Sequence, residues 1–157
     1  MYKLIIFLII SAITLNSCTS VKQNKNSKYL DVDIKKTYSI GEAIKIRVKN
    51  ISDENIIIYS PTKPNLQQKE NKIWKNLRIL NCPCDAPCMA PPEKIELTVN
   101  NEITLTWDQK ESFCGKIADA GIRETIYKKA EKGSYRIIIN YKIYNENMNV
   151  TKEFIIK

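Results

Sequence analysis

The residues of this chain that can do distinctive chemistry are gathered in one short run. Asn81, Cys82, Pro83, Cys84, Asp85, Ala86, Pro87, Cys88, Met89, Ala90, Pro91 and Pro92 follow one another, and Cys114 lies further on. Cysteines so placed can bridge in pairs, hold a soft metal, or exchange disulfides. Four thiolates could hold Zn tetrahedrally, and Met89 beside them adds a soft ligand suited to Cu(I). Against metal, Cys-x-Cys-x3-Cys is not a zinc-knuckle spacing, and two proline-flanked ligands so close together need an unusual loop. Redox exchange is weaker again, because no cysteine pair two residues apart opens a helix.

The fifth cysteine, Cys18, decides between these chemistries. Lys3, an apolar run from Leu4 to Leu15, then Asn16, Ser17 and Cys18 give a positive start, a short hydrophobic segment and a small residue before a cysteine. That run is too short to cross a hydrocarbon core, which needs roughly 20 apolar residues. Leu15, Asn16, Ser17, Cys18 resembles the lipobox of bacterial lipoproteins, with Asn16 departing from the smaller residue usual there. The resemblance implies cleavage after Ser17 and acylation of Cys18 by a diacylglycerol and a further acyl chain. Two or more chains anchor stably, so membrane lipid is the expected partner of Cys18. By resemblance to lipoprotein sorting signals, Thr19 in place of an aspartate does not ask for inner-membrane retention and the lack of an acidic stretch after it does not indicate surface export, so an outer-membrane anchor facing the periplasm is expected.

Once Cys18 is assigned to lipid, Cys82, Cys84, Cys88 and Cys114 remain, an even number in a compartment where disulfides persist. Pro83 biases Cys82 to extended geometry. Two residues apart on such a chain, Cys82 and Cys84 approach or exceed the limit of about 6.8 Å between Cα atoms. Two pairings survive: Cys82 with Cys88 plus Cys84 with Cys114, or Cys84 with Cys88 plus Cys82 with Cys114. Either staples the proline-rich loop to the region after Trp107, with roughly 3 to 4 kcal/mol of stabilisation from the longer closure.

Enzyme chemistry is hard to place in the remainder, and the chain is expected not to be an enzyme. It has no histidine, which removes the commonest general base and every His-containing triad, and its four glycines form no phosphate-binding loop. Asp108 and Glu111 lie close together, in the manner of a solvated turn beside a strand end. The formal charge of +8 falls to +7 when residues 1–17 take one lysine with them. Lysine and asparagine are spread throughout, and the arginines (Arg47, Arg78, Arg123, Arg136) stand in separate segments, so no nucleic-acid surface is expected. No cofactor is expected either.

The elements that must position the cysteines read as strands. Leu30, Val32 and Ile34, and then Ile44, Ile46 and Val48, alternate with charged residues and place one face on a core. Ile56 to Tyr59 follows a turn-rich stretch and suggests a hairpin with the strand before it. Trp74 to Leu80, Ile95 to Val99, Ile103 to Trp107, Tyr135 to Tyr144 and Val150 to Ile156 complete the set. Between Cys114 and Lys132 the pattern changes: Ala118, Ile122, Ile126 and Ala130 recur every four residues, predicting one short helix or an irregular crossover. Residues 1–17 are read as signal peptide, 18–28 as a flexible tether too polar to order itself, and 29–157 as one domain. Its class is all-β, an antiparallel immunoglobulin-like β-sandwich with a Cys/Pro-rich loop.

Ile40, Gly41, Glu42, Ala43 and Ile44, then Val48, Lys49 and Asn50, then Trp107 and Asp108, and finally Lys132, Gly133, Ser134 and Tyr135 fall in an order that resembles immunoglobulin-like extracytoplasmic domains. In particular the order is similar to the intracellular proteinase inhibitor family, from which the cysteine cluster is a departure. The resemblance implies a β-sandwich and, more remotely, inhibition. The function expected is therefore a membrane-anchored, non-enzymatic binding or scaffold module with an envelope protein as partner. Its candidate binding loop carries Pro83, Asp85, Pro87, Met89, Pro91 and Pro92. The alternatives are an inhibitor-like domain presenting that stapled loop to a protease, and a thiolate site for Zn or Cu.

Overall fold

The computed structural model describes residues 23–24, 27–117 and 121–157, so Cys18 and the signal-peptide residues lie outside the described residues. In chain order the strands are β1 (Gln23–Asn24), β2 (Leu30–Asp33), β3 (Thr37–Tyr38), β4 (Ile44–Asn50), β5 (Ile56–Tyr59), β6 (Asn65–Glu70) and β7 (Ile73–Asn76). They continue as β8 (Lys94–Leu97), β9 (Glu102–Trp107), β10 (Lys110–Ile117), β11 (Arg123–Lys129), β12 (Gly133–Ile143) and β13 (Glu146–Ile156). One sheet is β2-β4-β9; the other runs β1-β13-β12-β5-β8, with β3 beside β13 and the β6–β7 hairpin continuing from β12. These orders match the A-B-E and G-F-C-C′ sheets of an immunoglobulin-like sandwich, with β6–β7 and β10–β11 as additions. All pairings are antiparallel except those of β1 and β3 with β13, which are parallel.

Period-two alternation does the folding work. Ile44, Ile46 and Val48 are buried from one sheet, and Tyr135, Ile137, Ile139, Tyr141 and Ile143 from the other. Trp107 lies 5.6 Å from Tyr135, which stacks on Phe154 at 5.7 Å between centroids. The Tyr135 hydroxyl donates to the Glu131 carbonyl at 2.6 Å, the tyrosine corner that opens the sixth strand of such sandwiches. Gly133 has φ of 156°, at the entry to the same strand.

Four sequence expectations are revised. No helix occurs among the described residues; Ile126 lies in β11, Ile122 and Ala130 flank it, and Ala118 is outside the described residues. The four-residue spacing there reflects a strand with one covered face, for which no core imposes alternation. β4 and β5 are not a hairpin, because β4 pairs with β2 and β9 while β5 pairs with β12 and β8. The chain crosses between sheets at Asn50, whose buried amide donates to the Glu54 and Leu97 carbonyls at 2.8 and 2.9 Å. The expected strand from Trp74 ends at Asn76, and Leu77 to Leu80 leave the sheet. Within the stretch read as a tether, Gln23–Asn24 forms β1, and the Ser27 hydroxyl meets that of Tyr141 at 2.7 Å.

Register also separates the two ends of the sandwich. Leu30, at the start of β2, pairs with Asn50, whereas Trp107, after which β10 begins, pairs with Ile44. At about 3.3 Å per residue, β4 holds these ends roughly 20 Å apart. The N-terminal segment therefore enters at one end and β10–β11 leaves from the other.

Candidate functional site: a stapled arm

β10 and β11 form a two-stranded sheet of their own, with Lys110 opposite Lys129, Phe113 opposite Ile126 and Cys114 opposite Thr125, and an irregularity between Cys114 and Ile117. The arm is set at its root by Gln109, at φ of 58° and 2% exposed. Its side-chain amide donates to the carbonyls of Ser39 and Glu42 at 2.8 and 2.7 Å and its oxygen accepts from the Gly41 N–H at 2.8 Å, while its backbone carbonyl accepts from Ala130 at 2.7 Å. Nothing in the sequence distinguishes Gln109 beyond its position after Trp107 and Asp108, because its role is defined by backbone atoms some seventy residues away.

The Cys/Pro loop lies along this arm. Cys84 is bridged to Cys114 with Cα atoms 5.6 Å apart, and Cys82 to Cys88 at 6.0 Å, one of the two pairings left open by the sequence. The Cys84 N–H donates to Thr125 Oγ1 at 2.8 Å. Below it, Ser112 N–H donates to the Arg78 carbonyl at 2.8 Å, Leu80 N–H to Ser112 Oγ at 2.7 Å, and the Arg78 guanidinium sits 3.8 Å from the Phe113 ring centroid. All four sulfurs are paired, so the thiolate set that a Zn or Cu site requires is not presented; among the described residues no group of three His, Cys, Asp or Glu is placed to hold a metal.

The predicted loop residues divide. Asp85, at φ of 52°, is committed to the arm: Arg123 Nε reaches its carboxylate at 2.9 Å, and the Arg123 backbone N–H donates to Oδ2 at 2.9 Å. The side-chain hydrogen bond from Arg123 leads the causes that lower the Asp85 carboxyl to about 2. Pro83, Pro87 and Pro92 are exposed and Pro91 half-buried, spacing the chain around the bridges. Met89 is 94% exposed. Sequence reasoning missed the exposed apolar side chains of the arm: Ile117, Ile122 and Tyr127 are 71%, 59% and 63% exposed. Asp108 and Glu111 do not converge on a shared site. Asp108 pairs with Lys110 Nζ at 3.0 Å, and Glu111 accepts from Arg78 N–H at 3.2 Å.

The fold and the site thus define an immunoglobulin-like β-sandwich bearing a disulfide-stapled hairpin. No protein-family model matches the chain, and a search of curated proteins finds no match. Among solved structures, the chain is similar to a β-glucosidase from Listeria innocua in complex with gluconolactone, at 21% identity and a TM-score of 0.37. That match covers 81% of this chain and 15% of the glucosidase, so the chain spans about 15% of that protein's length. A likeness at this level carries no argument about fold or activity.

Proposed function

We propose that this chain is a lipid-anchored binding module of the bacterial envelope, held by acylated Cys18 at the outer membrane and facing the periplasm, with the stapled arm as its binding surface. The observation that carries the reading is the set of exposed apolar side chains outside the core cluster, Ile117, Ile122 and Tyr127 on the arm and Met89 on the loop bridged to it. Exposed apolar side chains gathered on one part of a surface are the kind a partner covers. Two bridges and the Asp85–Arg123 pair hold the arm in one shape, which lowers the ordering cost of binding. The lipobox resemblance and the paired cysteines both support an oxidising compartment, and entry of the N-terminal segment at the opposite end supports an arm directed away from an anchor on Cys18.

Met89, projecting from the loop closed by Cys82 and Cys88, favours a second reading in which this loop is presented to a protease. One experiment separates them. A photoactivatable residue is placed singly at Ile122, Met89 and Ile51 of the full chain in membranes, Ile51 being exposed at the anchor end. The module reading expects a discrete adduct from Ile122; the inhibitor reading expects a protease adduct from Met89 alone; no adduct from either overturns both.

A further inference from the structure

β11 is the outer strand of its sheet, and its free edge carries an unusual order of residues. The far side of β10 is already occupied, since Ser112 N–H donates to Arg78. Ala130 N–H donates to Gln109, facing β10. Backbone groups alternate sides along a strand. Glu124, Ile126 and Lys128 therefore turn their N–H and C=O toward β10, and Arg123, Thr125, Tyr127 and Lys129 turn theirs away. Asp85 takes the Arg123 N–H. Among the described residues no backbone pairs with Thr125, Tyr127 or Lys129 on the outer side.

An edge of this kind invites another strand, and lysines commonly guard against it. Here the charges are arranged to select one partner. With two copies of β11 antiparallel about a two-fold axis through Ile126, Thr125 faces Tyr127 twice in the hydrogen-bonded positions. Ile126 faces Ile126 in the closer, non-hydrogen-bonded position, at about 4.5 Å between Cα atoms. Glu124 faces Lys128 twice. Arg123 also faces Lys129 twice, and these like-charged pairs fall at the ends, where Asp85 neutralises each Arg123. Centring the axis on Thr125 or Tyr127 instead sets Ile126 against Glu124 or Lys128. The chosen register also continues an apolar row, because Ile126 lies opposite Phe113 and over Gly115. Glu124 makes no ion pair among the described residues, and Lys128 reaches only Glu131, at 3.1 Å.

We propose that two copies of this chain associate through their arms, β11 against β11 about Ile126, forming a four-stranded sheet β10-β11-β11-β10. The proposal rests on reading the arm as an interaction surface and names a second copy as the occupant of its edge; it does not depend on the lipid. Confinement of anchored chains to one membrane raises their effective concentration and favours so small a contact.

The test uses the full chain in detergent micelles. Sedimentation equilibrium is expected to show a monomer–dimer equilibrium. Glu124→Lys and Lys128→Glu each create two like-charged pairs and raise the dissociation constant roughly tenfold, and the double exchange restores it. In parallel, Ile126→Cys is expected to yield a covalent dimer on a non-reducing gel, reversed by reductant, while Ile117→Cys yields none. A chain that stays monomeric without an Ile126→Cys dimer overturns the proposal, as does a dimer indifferent to the charge exchanges. If that happens while Ile122 still gives an adduct with another protein, the binding-module reading stands and only the self-pairing fails.

Discussion

At the scale of single residues, the arm is held by polar contacts as much as by sulfur. Asp85 accepts from both the side chain and the backbone of Arg123, and that guanidinium holds its carboxyl at about 2, below the ordinary 3.8. A carboxyl whose folded value is depressed stabilises the folded arm above its unfolded value and loses that contribution as pH falls through the folded one. The protection factor of the Arg123 amide against hydrogen exchange is therefore expected to fall between about pH 4 and pH 2, and to be low already at neutral pH in Asp85→Ala; protection unchanged across that window would contradict the pairing. Little of this was visible in the sequence. Asp85 was singled out for lying in the loop, yet its partner is 38 positions away, and no local pattern announces it. The cysteines fared better, since extended geometry at Cys82 excluded one pairing; the remaining ambiguity closed only when β10 brought Cys114 under Cys84.

At the scale of elements, legibility follows burial. β4 and β12 are pressed on a core and alternate accordingly, so Ile44, Ile46, Val48, Tyr135, Ile137 and Ile139 were readable as strand faces. β11 is covered on one side by a loop and open on the other, so its apolar residues follow no period of two and mimic a helix. The crossing at Asn50 was hidden for a different reason: a turn-rich segment looks the same whether it joins neighbours in one sheet or spans two. Gln109 is the element-scale hinge of the account, since it ties the root of the arm to the turn at Ser39–Glu42. Gln109→Leu leaves two carbonyls and one N–H without their partner, each costing about 1 to 3 kcal/mol where water cannot reach. Denaturant unfolding is expected to show a loss of at least about 2 kcal/mol; a loss below about 0.5 kcal/mol would mean that the arm is positioned by its bridges alone.

At the scale of the whole molecule, the division of labour between sandwich and arm is the main structural claim. Ile46 is fully buried between the sheets, so Ile46→Ala should cost about 2 to 5 kcal/mol in an unfolding titration. Ile122 is 59% exposed and stands outside the core cluster, and Ile122→Ala should change stability by less than about 0.5 kcal/mol. Equal costs at the two sites would show that the arm is a folding element rather than a presented surface. The same division explains why fold was legible and function was not: the sandwich is written in a repeated pattern of burial, whereas the surface proposed to bind is a handful of isoleucines, a tyrosine and a methionine whose exposure only the folded chain reveals. The most direct measurement of the account's central claim is photocrosslinking from Ile122 and Ile51 in the full chain. A discrete adduct from Ile122 with none from Ile51 is the result predicted; adducts from Ile51 alone, or equal yields from both, would contradict the assignment of binding to the arm.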